Sequence, residues 1–218
     1  SEFPWFAPLN KSVEVPELIL EAPAHLLKVL YMGNPTHTED LAMIRPVFER
    51  LRKEGHPVQL FVIGGEPETQ ESDTNWYQRL VVSSEVQQYP DFVRWFRSIA
   101  SRCDLGIAPL VDTEFNRCKS NLKFLQYSAV GLPSLCSDIP PYSNVVHQNL
   151  DGILVENTTE AWYGAIVRCL QDRDRLNQLG KTAKDAMLDR HLMRHYSDSY
   201  CQIFENIALN RDRNSNQY

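Results

Sequence analysis

Short apolar runs alternate along the chain with longer stretches in which apolar residues recur every three or four positions. The apolar runs, which are rich in branched residues, lie at 26–32, 58–63, 76–82, 105–110, 133–137 and 152–155. Runs of this length predict buried strands, and the longer periodic stretches predict amphipathic helices. Because strands that alternate with helices build parallel sheets, the pattern predicts a single Rossmann-like α/β domain: a doubly wound parallel sheet of about six strands with helices on both faces.

The predicted helices begin at residue types that cap helices. Thr38 is a predicted N-cap, and Glu39 and Asp40 follow in the first turn, where acidic side chains interact favourably with the helix dipole. Asn157 and Glu160 have the spacing of a capping box before a later helix. Both starts come shortly after a predicted strand, as expected for repeated strand–helix units.

The chain has 218 residues, of which 43% are hydrophobic, so it is long enough for one globular domain with a substantial core. The alternating pattern occupies residues 26–208. We expect residues 1–25 to be a lead-in or interdomain segment and residues 209–218 to be a polar tail that frays.

The charge balance argues against several classes of partner. Lysine and arginine total 22 against 28 aspartate and glutamate residues, which gives a net charge of -6, and no segment carries a basic run. A general nucleic-acid binder is therefore excluded. No apolar run approaches the roughly 18 residues that a membrane-spanning helix needs. We expect a cytoplasmic protein, with peripheral attachment to the inner face of the membrane left open for the full-length protein.

Neither the cysteines nor the histidines form a recognisable metal site. The five cysteines lie far apart without a C-x-x-C pair, which favours reduced thiols over a disulfide framework. His191 and His195 have helical i, i+4 spacing, but they lie in a polar stretch and lack the glutamate of a metalloprotease motif. We therefore expect no bound metal, and interpret the two histidines as a solvated helix surface.

Ligands of a doubly wound sheet bind beyond the carboxyl ends of its strands, so the loops after strands are the places to search. The first candidate loop is Gly33-Asn34-Pro35-Thr36-His37, whose small and turn-forming residues allow a ligand to approach the backbone. A simple tight turn explains the same residues. The loop lacks the G-x-G-x-x-G pattern, which argues against a dinucleotide cofactor.

The second candidate loop is 112–121, with a helix predicted over Ser120 to Val130. At 100° per residue, Lys119, Lys123 and Gln126 fall on one face, pointing away from the core. The free N–H groups of a helix start already favour an anion, and Lys119 adds a positive charge. The loop is thus a candidate diphosphate site; a solvated amphipathic helix with surface lysines is the alternative.

The residues around this second loop resemble a known family. The stretch Phe115–Pro133, followed by Ser137–Tyr142, resembles the donor-site signature of bacterial glycosyltransferases of the two-Rossmann-domain (GT-B) type, in particular family-four-like enzymes of surface-polysaccharide pathways. Segments 31–41, 104–110 and 151–162 resemble neighbouring parts of the same C-terminal half. The resemblance therefore covers residues 26–208.

The resemblance implies a role for particular residues. It implies that the donor diphosphate contacts Gly33, Asn34, Lys119, Ser120 and Asn121, that Gln126 contacts the ribose, and that His37, Phe115, Asn116 and Lys123 are further donor-site residues. No catalytic nucleophile or base is implied within this chain.

The sequence departs from the family's pattern at two places. The family's two glutamates, eight residues apart, fall on Cys118 and Gln126, neither of which is acidic. The family's usual basic clamp after the first strand is also absent, since Asn34, Glu39 and Asp40 occupy that region. The phosphate charge would accordingly rest mainly on the lysines of the second loop.

The function that the resemblance implies is that of a donor domain of a glycosyltransferase. It would bind a nucleotide-diphosphate sugar for transfer to a saccharide or lipid-linked acceptor, with retention of configuration and without a metal or other cofactor. The N-terminal Rossmann domain, which would carry the acceptor groups, is not in this chain, so we expect only half of the active enzyme here.

A catalytically inactive binding or scaffold module is the alternative. A sugar-nucleotide epimerase is disfavoured, since G-x-G-x-x-G and a suitable Tyr-x-x-x-Lys pair are missing.

Overall fold

A computed structural model of the chain describes residues 5–6, 15–33, 37–64, 76–192 and 195–215, with side chains through residue 207. Within these ranges the sheet has six strands. They are β1 Leu27–Gly33, β2 Val58–Gly64, β3 Gln78–Leu80, β4 Leu105–Ala108, β5 Ser134–Ser137 and β6 Ile153–Val155. The second strand ends before residues 65–75, which lie outside the described residues.

All neighbouring strands pair in parallel, in the order β3-β2-β1-β4-β5-β6. The chain therefore winds outwards from β1 to one edge and then returns to place β4 on the other side of β1, where Val29 pairs with Leu105. This position, between β1 and β4, is the topological switch point of the sheet. The predicted fold class, a doubly wound parallel sheet, is confirmed.

Nine α-helices and a 3₁₀ turn at Ser84–Val86 accompany the strands in the described part of the chain. The helices are α1 Glu17–Leu20, α2 Thr38–Lys53, α3 Tyr89–Ala100, α4 Glu114–Arg117, α5 Leu122–Val130, α6 Pro140–Ser143, α7 Thr159–Gln171, α8 Arg173–Arg190 and α9 Ser197–Ser215. No helix in these ranges has the length and hydropathy needed to cross a membrane.

The sheet is covered on both faces, so its central strands are apolar on both sides. Val29 and Tyr31 of β1 pack in one core with α2 and α7, whereas Leu30 between them packs in a second core with α3 and α5. Alternate residues of one strand thus contribute to opposite cores. This explains why the strands read as continuous apolar runs rather than as alternating patterns.

Two helix starts differ by one residue from the sequence prediction. His37, not Thr38, occupies the N-cap position of α2, and its side chain makes no capping hydrogen bond. At α7 the cap is Thr158, whose hydroxyl accepts from the backbone N–H of Ala161, so the capping box predicted for Asn157 is wrong. The Asn157 side chain instead donates to the Leu110 carbonyl at 2.8 Å, which holds the chain just after β4.

A buried carboxylate connects α8 to the loop before β6. Asp151 has no solvent-exposed surface. It accepts hydrogen bonds from the backbone N–H of His147 at 2.7 Å, from His147 Nδ1 at 2.9 Å and from the Arg190 guanidinium at 2.6 Å. These three donors compensate the cost of removing the charge from water. The cluster therefore fixes the C-terminal end of α8 against the sheet.

Candidate functional site

A cavity of about 500 Å³ opens at the switch point, beyond the carboxyl ends of β1 and β4. Apolar side chains from the ends of β1, β2 and β3 and from α3 form much of its wall. Its polar wall consists of His37, Lys119, Ser120, Lys123 and Gln126. A second cavity of about 440 Å³, between β6, α7 and α8, contains none of the residues singled out from the sequence.

The structure brings together six of the ten residues singled out from the sequence. Gly33, His37, Lys119, Ser120, Lys123 and Gln126 all line the switch-point cavity. Phe115, Asn116 and Asn121 do not line it. Asn34 lies outside the described residues. The two candidate loops, about 85 positions apart in the sequence, thus both line one cavity.

Asn116 and Phe115 act on the loop rather than at the cavity wall. Asn116 is buried, and its side-chain amide donates to the Val111 carbonyl at 2.7 Å. Phe115 is 74% exposed, and its ring lies 5.2 Å from the Lys119 ammonium. Asn116 therefore holds the loop in shape, and Phe115 flanks the lysine through a cation–π contact.

The helix predicted from Ser120 begins two residues later, at Leu122, with Asn121 in the N-cap position. Lys119 and Ser120 therefore precede α5 rather than occupying its first turn. A separate short helix, α4, lies in the preceding loop and was not expected from the sequence; the Thr113 hydroxyl caps it by accepting from the Asn116 N–H. Leu122, the first residue of α5, is 54% exposed.

Lys123 departs most from the sequence expectation, which placed it on a surface facing away from the core. Its ammonium is buried, and within the described residues Nζ has no hydrogen-bond partner. It lies 4.8 Å from the centre of the Tyr31 ring. Burial lowers the pKa of Lys123 to about 8, opposed in part by the Asp40 carboxylate, which favours the charged form. The alternative of a solvated surface lysine is thus wrong for this residue.

Tyr127, one helical turn beyond Lys123, fixes α5 over the switch point. Its hydroxyl accepts from the backbone N–H of Met32 at 3.2 Å and donates to the Ile107 carbonyl at 3.2 Å. The ring lies against Gly106, where a Cβ would come within 2.8 Å of it. One phenol therefore contacts both β1 and β4, and positions the helix that carries Lys123 and Gln126.

Gly33 is the last residue of β1, so the strand ends without a side chain. A Cβ at this position would lie 2.6 Å from the Tyr31 hydroxyl oxygen, which is closer than real side chains approach. The missing side chain keeps both the cavity and the Tyr31 ring under Lys123 unobstructed. Sequence reasoning identified this glycine from its place at the end of a strand.

Asp40 is a residue of the site that sequence reasoning did not single out: it was placed in the first turn of α2 and in the region where the family's basic clamp is absent. It is 2% exposed. One carboxylate oxygen accepts from His37 Nδ1 at 2.6 Å, and the other accepts from the Val111 N–H at 2.7 Å. The i, i+3 spacing of His37 and Asp40 at a helix start is the signal that could have revealed the pair.

The cavity thus offers two lysines, a histidine and a glycine-lined strand end, with one buried carboxylate behind them. This arrangement is suited to an anion that carries more than one negative charge. The described residues hold no group of three or more His, Cys, Asp or Glu side chains that could bind a metal ion. All five cysteines are free thiols.

Comparison with protein families identifies the domain. The family model described as glycosyl transferases group 1 matches residues 27–172, which is more than half of the chain. The chain belongs to this family. In this group 1 glycosyltransferase domain, the match includes both walls of the switch-point cavity, and the resemblance seen in Phe115–Pro133 is confirmed. A comparison with curated proteins finds no matching sequence.

Solved structures of glycosyltransferases share the fold. HepE from Anabaena, in complex with UDP and glucose, is 12% identical with a TM-score of 0.63, over 88% of this chain and 53% of HepE. Sucrose-phosphate synthase from Thermosynechococcus elongatus is 15% identical with a TM-score of 0.65, over 90% of this chain and 50% of the synthase. The group 1 domain thus spans about half the length of these two proteins.

A third structure is itself a single domain. The C-terminal domain of LpcC, a glycosyl transferase group 1 family protein from Francisella tularensis, is 11% identical with a TM-score of 0.56, over 79% of this chain and 89% of that domain. At such identities the likeness shows the fold. The group 1 domain has the architecture of the C-terminal half of a GT-B glycosyltransferase.

Proposed function

We propose that this chain is the donor-binding half of a GT-B glycosyltransferase and that its switch-point cavity binds the diphosphate of a nucleotide sugar. The observation that carries the proposal is the buried ammonium of Lys123, which lines the cavity without a hydrogen-bond partner in the described structure. The family membership and the UDP complex of the structurally similar HepE support a nucleotide sugar as the ligand.

A buried ammonium without a hydrogen-bond partner is unfavourable, and the Asp40 carboxylate compensates the Lys123 charge only in part. A diphosphate would bring the missing negative charge, and Lys119 at the same wall would share it. The Asn121 side chain makes no capping hydrogen bond, so the first N–H groups of α5 are left for the ligand as well. Three sources of positive potential then converge on one anion.

The proposed reaction is transfer of the sugar from the nucleotide to an acceptor hydroxyl. The bond between the anomeric carbon and the diphosphate oxygen breaks, and its electron pair leaves with the nucleoside diphosphate. The acceptor oxygen bonds to the anomeric carbon, and the proton of the acceptor hydroxyl passes to the leaving diphosphate. Lys119 and Lys123 stabilise the negative charge that develops on the leaving oxygen, a task that requires no metal. We propose retention of configuration and a saccharide or lipid-linked acceptor, bound with an N-terminal Rossmann domain.

A thermal-shift panel of UDP, GDP, dTDP, CDP and ADP sugars tests the proposal. A ligand that binds only the folded state raises the melting temperature, so at least one member of the panel should stabilise the chain in a concentration-dependent manner. UDP-glucose is the first choice. If no member of the panel shifts the transition even at millimolar concentration, the cavity is not a donor site.

Replacing Lys119 with alanine should weaken binding of the best nucleotide by about 1.5 to 3 kcal/mol, the range for a charge-assisted hydrogen bond. The free energy of unfolding should change by less than about 0.5 kcal/mol, because the side chain is partly exposed and has no buried partner. Calorimetric titration measures the affinity. Lys53→Ala, at the far end of the 16-residue helix α2, is the matched control and should bind normally. Equal affinity of K119A and the unmodified chain would remove Lys119 from the diphosphate site.

Gln126 favours a second candidate function, that of a binding or scaffold module without catalysis. It lines the cavity three residues beyond Lys123, about 4.5 Å along the helix axis, a distance suited to a ribose next to a diphosphate. An amide can accept from one ribose hydroxyl and donate to another, but it lacks the charge of the family's glutamate.

Replacing Gln126 with glutamate separates the two functions. In a working donor site, Gln126→Glu should tighten nucleotide binding by about 1 kcal/mol, because the ribose hydroxyls then donate to a charged acceptor. Titration of both proteins with the best nucleotide measures the change, and Gln171→Glu, on the exposed end of α7, serves as the control. Unchanged or weaker binding in Q126E would favour the scaffold function.

A further inference from the structure

The second cavity, of about 440 Å³, lies between β6, α7 and α8 and shares no lining residue with the switch-point cavity. Its volume falls within the range of about 300–1,000 Å³ that small-molecule sites occupy. Its apolar lining residues are Ile153, Leu154, Ala165, Cys169, Leu176 and Leu179, of which the last four are buried. They form an inner wall suited to the apolar part of a ligand.

The mouth of this cavity carries two arginines without a carboxylate partner. Arg168, in the last turn of α7, and Arg175, in the first turn of α8, both line the cavity and are exposed. Within the part of the chain that the structure describes, neither side chain forms an ion pair with a carboxylate, whereas those of six other arginines do: Arg45, Arg50, Arg94, Arg117, Arg173 and Arg190.

Three hydrogen-bond acceptors at the mouth are already occupied. Asp172 accepts from the Arg175 backbone N–H at 3.0 Å and so caps α8. Gln148 Oε1 accepts from the Leu154 N–H of the edge strand at 2.6 Å. Asn149 accepts from the Arg175 guanidinium at 3.0 Å. Most guanidinium N–H groups of the two arginines therefore remain for a ligand, and they require an acceptor.

Both guanidiniums act on the same part of the inner wall. Burial raises the pKa of the Cys169 thiol to about 11, and Arg168 and Arg175 both oppose this rise, because a nearby positive charge favours the thiolate. Cys169 belongs to the buried apolar lining. Two positive charges thus lie beside an apolar wall, in a chain whose net charge is -6.

We propose that this cavity is a second binding site, for an organic anion in which a phosphate or carboxylate group is joined to an apolar chain. The anionic group lies between Arg168 and Arg175, whose planar guanidiniums can each donate parallel hydrogen bonds to it. The apolar chain lies along Leu176 and Leu179 and removes their surface from water. The site is independent of the function proposed for the switch-point cavity, because the two cavities share no residue.

Calorimetric titration with octyl phosphate, below the concentration at which it forms micelles, tests the proposal. Two matched compounds separate its parts: octyl glucoside has the same chain with an uncharged head, and inorganic phosphate has the anion without the chain. Octyl phosphate should bind at least about tenfold more tightly than either, because it alone uses both the arginines and the apolar wall. Equal affinity for octyl glucoside would remove the arginines from recognition and overturn the proposal.

Variants of the two arginines locate the bound molecule. Arg168→Gln and Arg175→Gln should each weaken octyl phosphate binding roughly tenfold, and the double variant should abolish it. The α8 cap uses a backbone N–H that both variants keep, so their melting temperatures should match that of the unmodified chain. Arg102→Gln, at an exposed arginine just after α3, is the control and should bind normally. Undiminished binding in the double variant would place octyl phosphate elsewhere and refute the site.

The same anion can belong to a free molecule or to a membrane lipid. Co-sedimentation with phosphatidylcholine vesicles, with and without phosphatidylglycerol, distinguishes these two sources. Sedimentation that requires phosphatidylglycerol and is lost in the double variant would support the site and assign the anion to a lipid headgroup. Octyl phosphate binding without sedimentation would support the site with a free molecule as its ligand.

Discussion

Replacing Lys123 with methionine should reduce nucleotide-diphosphate affinity on the order of 100-fold and at the same time raise the free energy of unfolding by about 2–3 kcal/mol. Both effects have one cause. In the described structure the Lys123 ammonium is buried without a hydrogen-bond partner. Burial lowers the pKa of Lys123 from 10.5 to about 8. Methionine has a similar length, packs against the Tyr31 ring and carries no charge to desolvate. The methionine variant should therefore be more stable than the unmodified chain and bind the nucleotide more weakly.

The pH dependence of stability gives an independent check. Since the pKa of Lys123 is lower in the folded than in the unfolded chain, the unfolded state binds more protons between about pH 8 and 10.5. The contribution of Lys123 to the free energy of unfolding should thus rise with pH through that window, and K123M should lack this rise. Denaturant titrations at pH 7 and 10 measure it, with Lys53→Met as the exposed control. If K123M is less stable than the unmodified chain at pH 7, the lysine is not a destabilising group.

Replacing Asp151 with alanine should lower the free energy of unfolding by about 3–5 kcal/mol, the cost of breaking a buried charged cluster. The variant leaves the His147 N–H and the Arg190 guanidinium without their shared acceptor and opens a void in a site with no solvent exposure. Denaturant unfolding at neutral pH measures the change. The cluster lies at α8 and the loop before β6, so the nucleotide affinity of the folded fraction should be unaffected.

Two further variants test whether the loss of stability comes from the charge of Asp151 and from its buried position. Asp189→Ala removes an exposed carboxylate from the same helix and should change stability by less than about 0.5 kcal/mol. Asp151→Asn keeps an acceptor for the His147 N–H but loses the charge, so its effect should fall between the other two. A loss of less than about 1 kcal/mol in D151A would mean that solvent reaches the donors in the folded state.

The fold could be predicted from the sequence because the strands at the centre of this sheet are buried on both faces. Runs such as Leu27–Gly33, in which Lys28 is the one charged residue, are then mostly apolar and stand out against the helical period. The cavity could be located for a related reason: its walls follow the first and fourth strands, and doubly wound sheets bind ligands at such strand ends. The short edge strand Gln78–Leu80 is much briefer than its apolar run, because only three residues pair with β2.

The character of the individual site residues could not be predicted, because periodicity treats every lysine or aspartate as exposed. Lys123 and Asp40 are both buried at the site, and both lie against distant parts of the chain: Lys123 by the Tyr31 ring, and Asp40 on the Val111 N–H. The role of Asn116 is equally invisible, since its partner is the Val111 carbonyl in a loop whose shape depends on a short unpredicted helix. The burial and the partners of these residues depend on contacts between distant parts of the chain, which a local sequence pattern does not contain.

The seam between β1 and β4 divides the sheet into two sequence-contiguous halves, one holding the first three strands and the other the last three. Three pairs of residues are in register across that seam, as in the pairs β2–β3, β4–β5 and β5–β6, whereas β1 and β2 share seven. The Tyr127 hydroxyl, which accepts from the Met32 N–H of β1, and the Asp40–Val111 hydrogen bond also cross it. A ligand that contacts His37 on one half and Lys123 on the other links the two halves. Part of its binding free energy then stabilises the packing of β1 against β4. The cavity thus lies where the two halves of the sheet join, and a ligand bound there adds contacts between them.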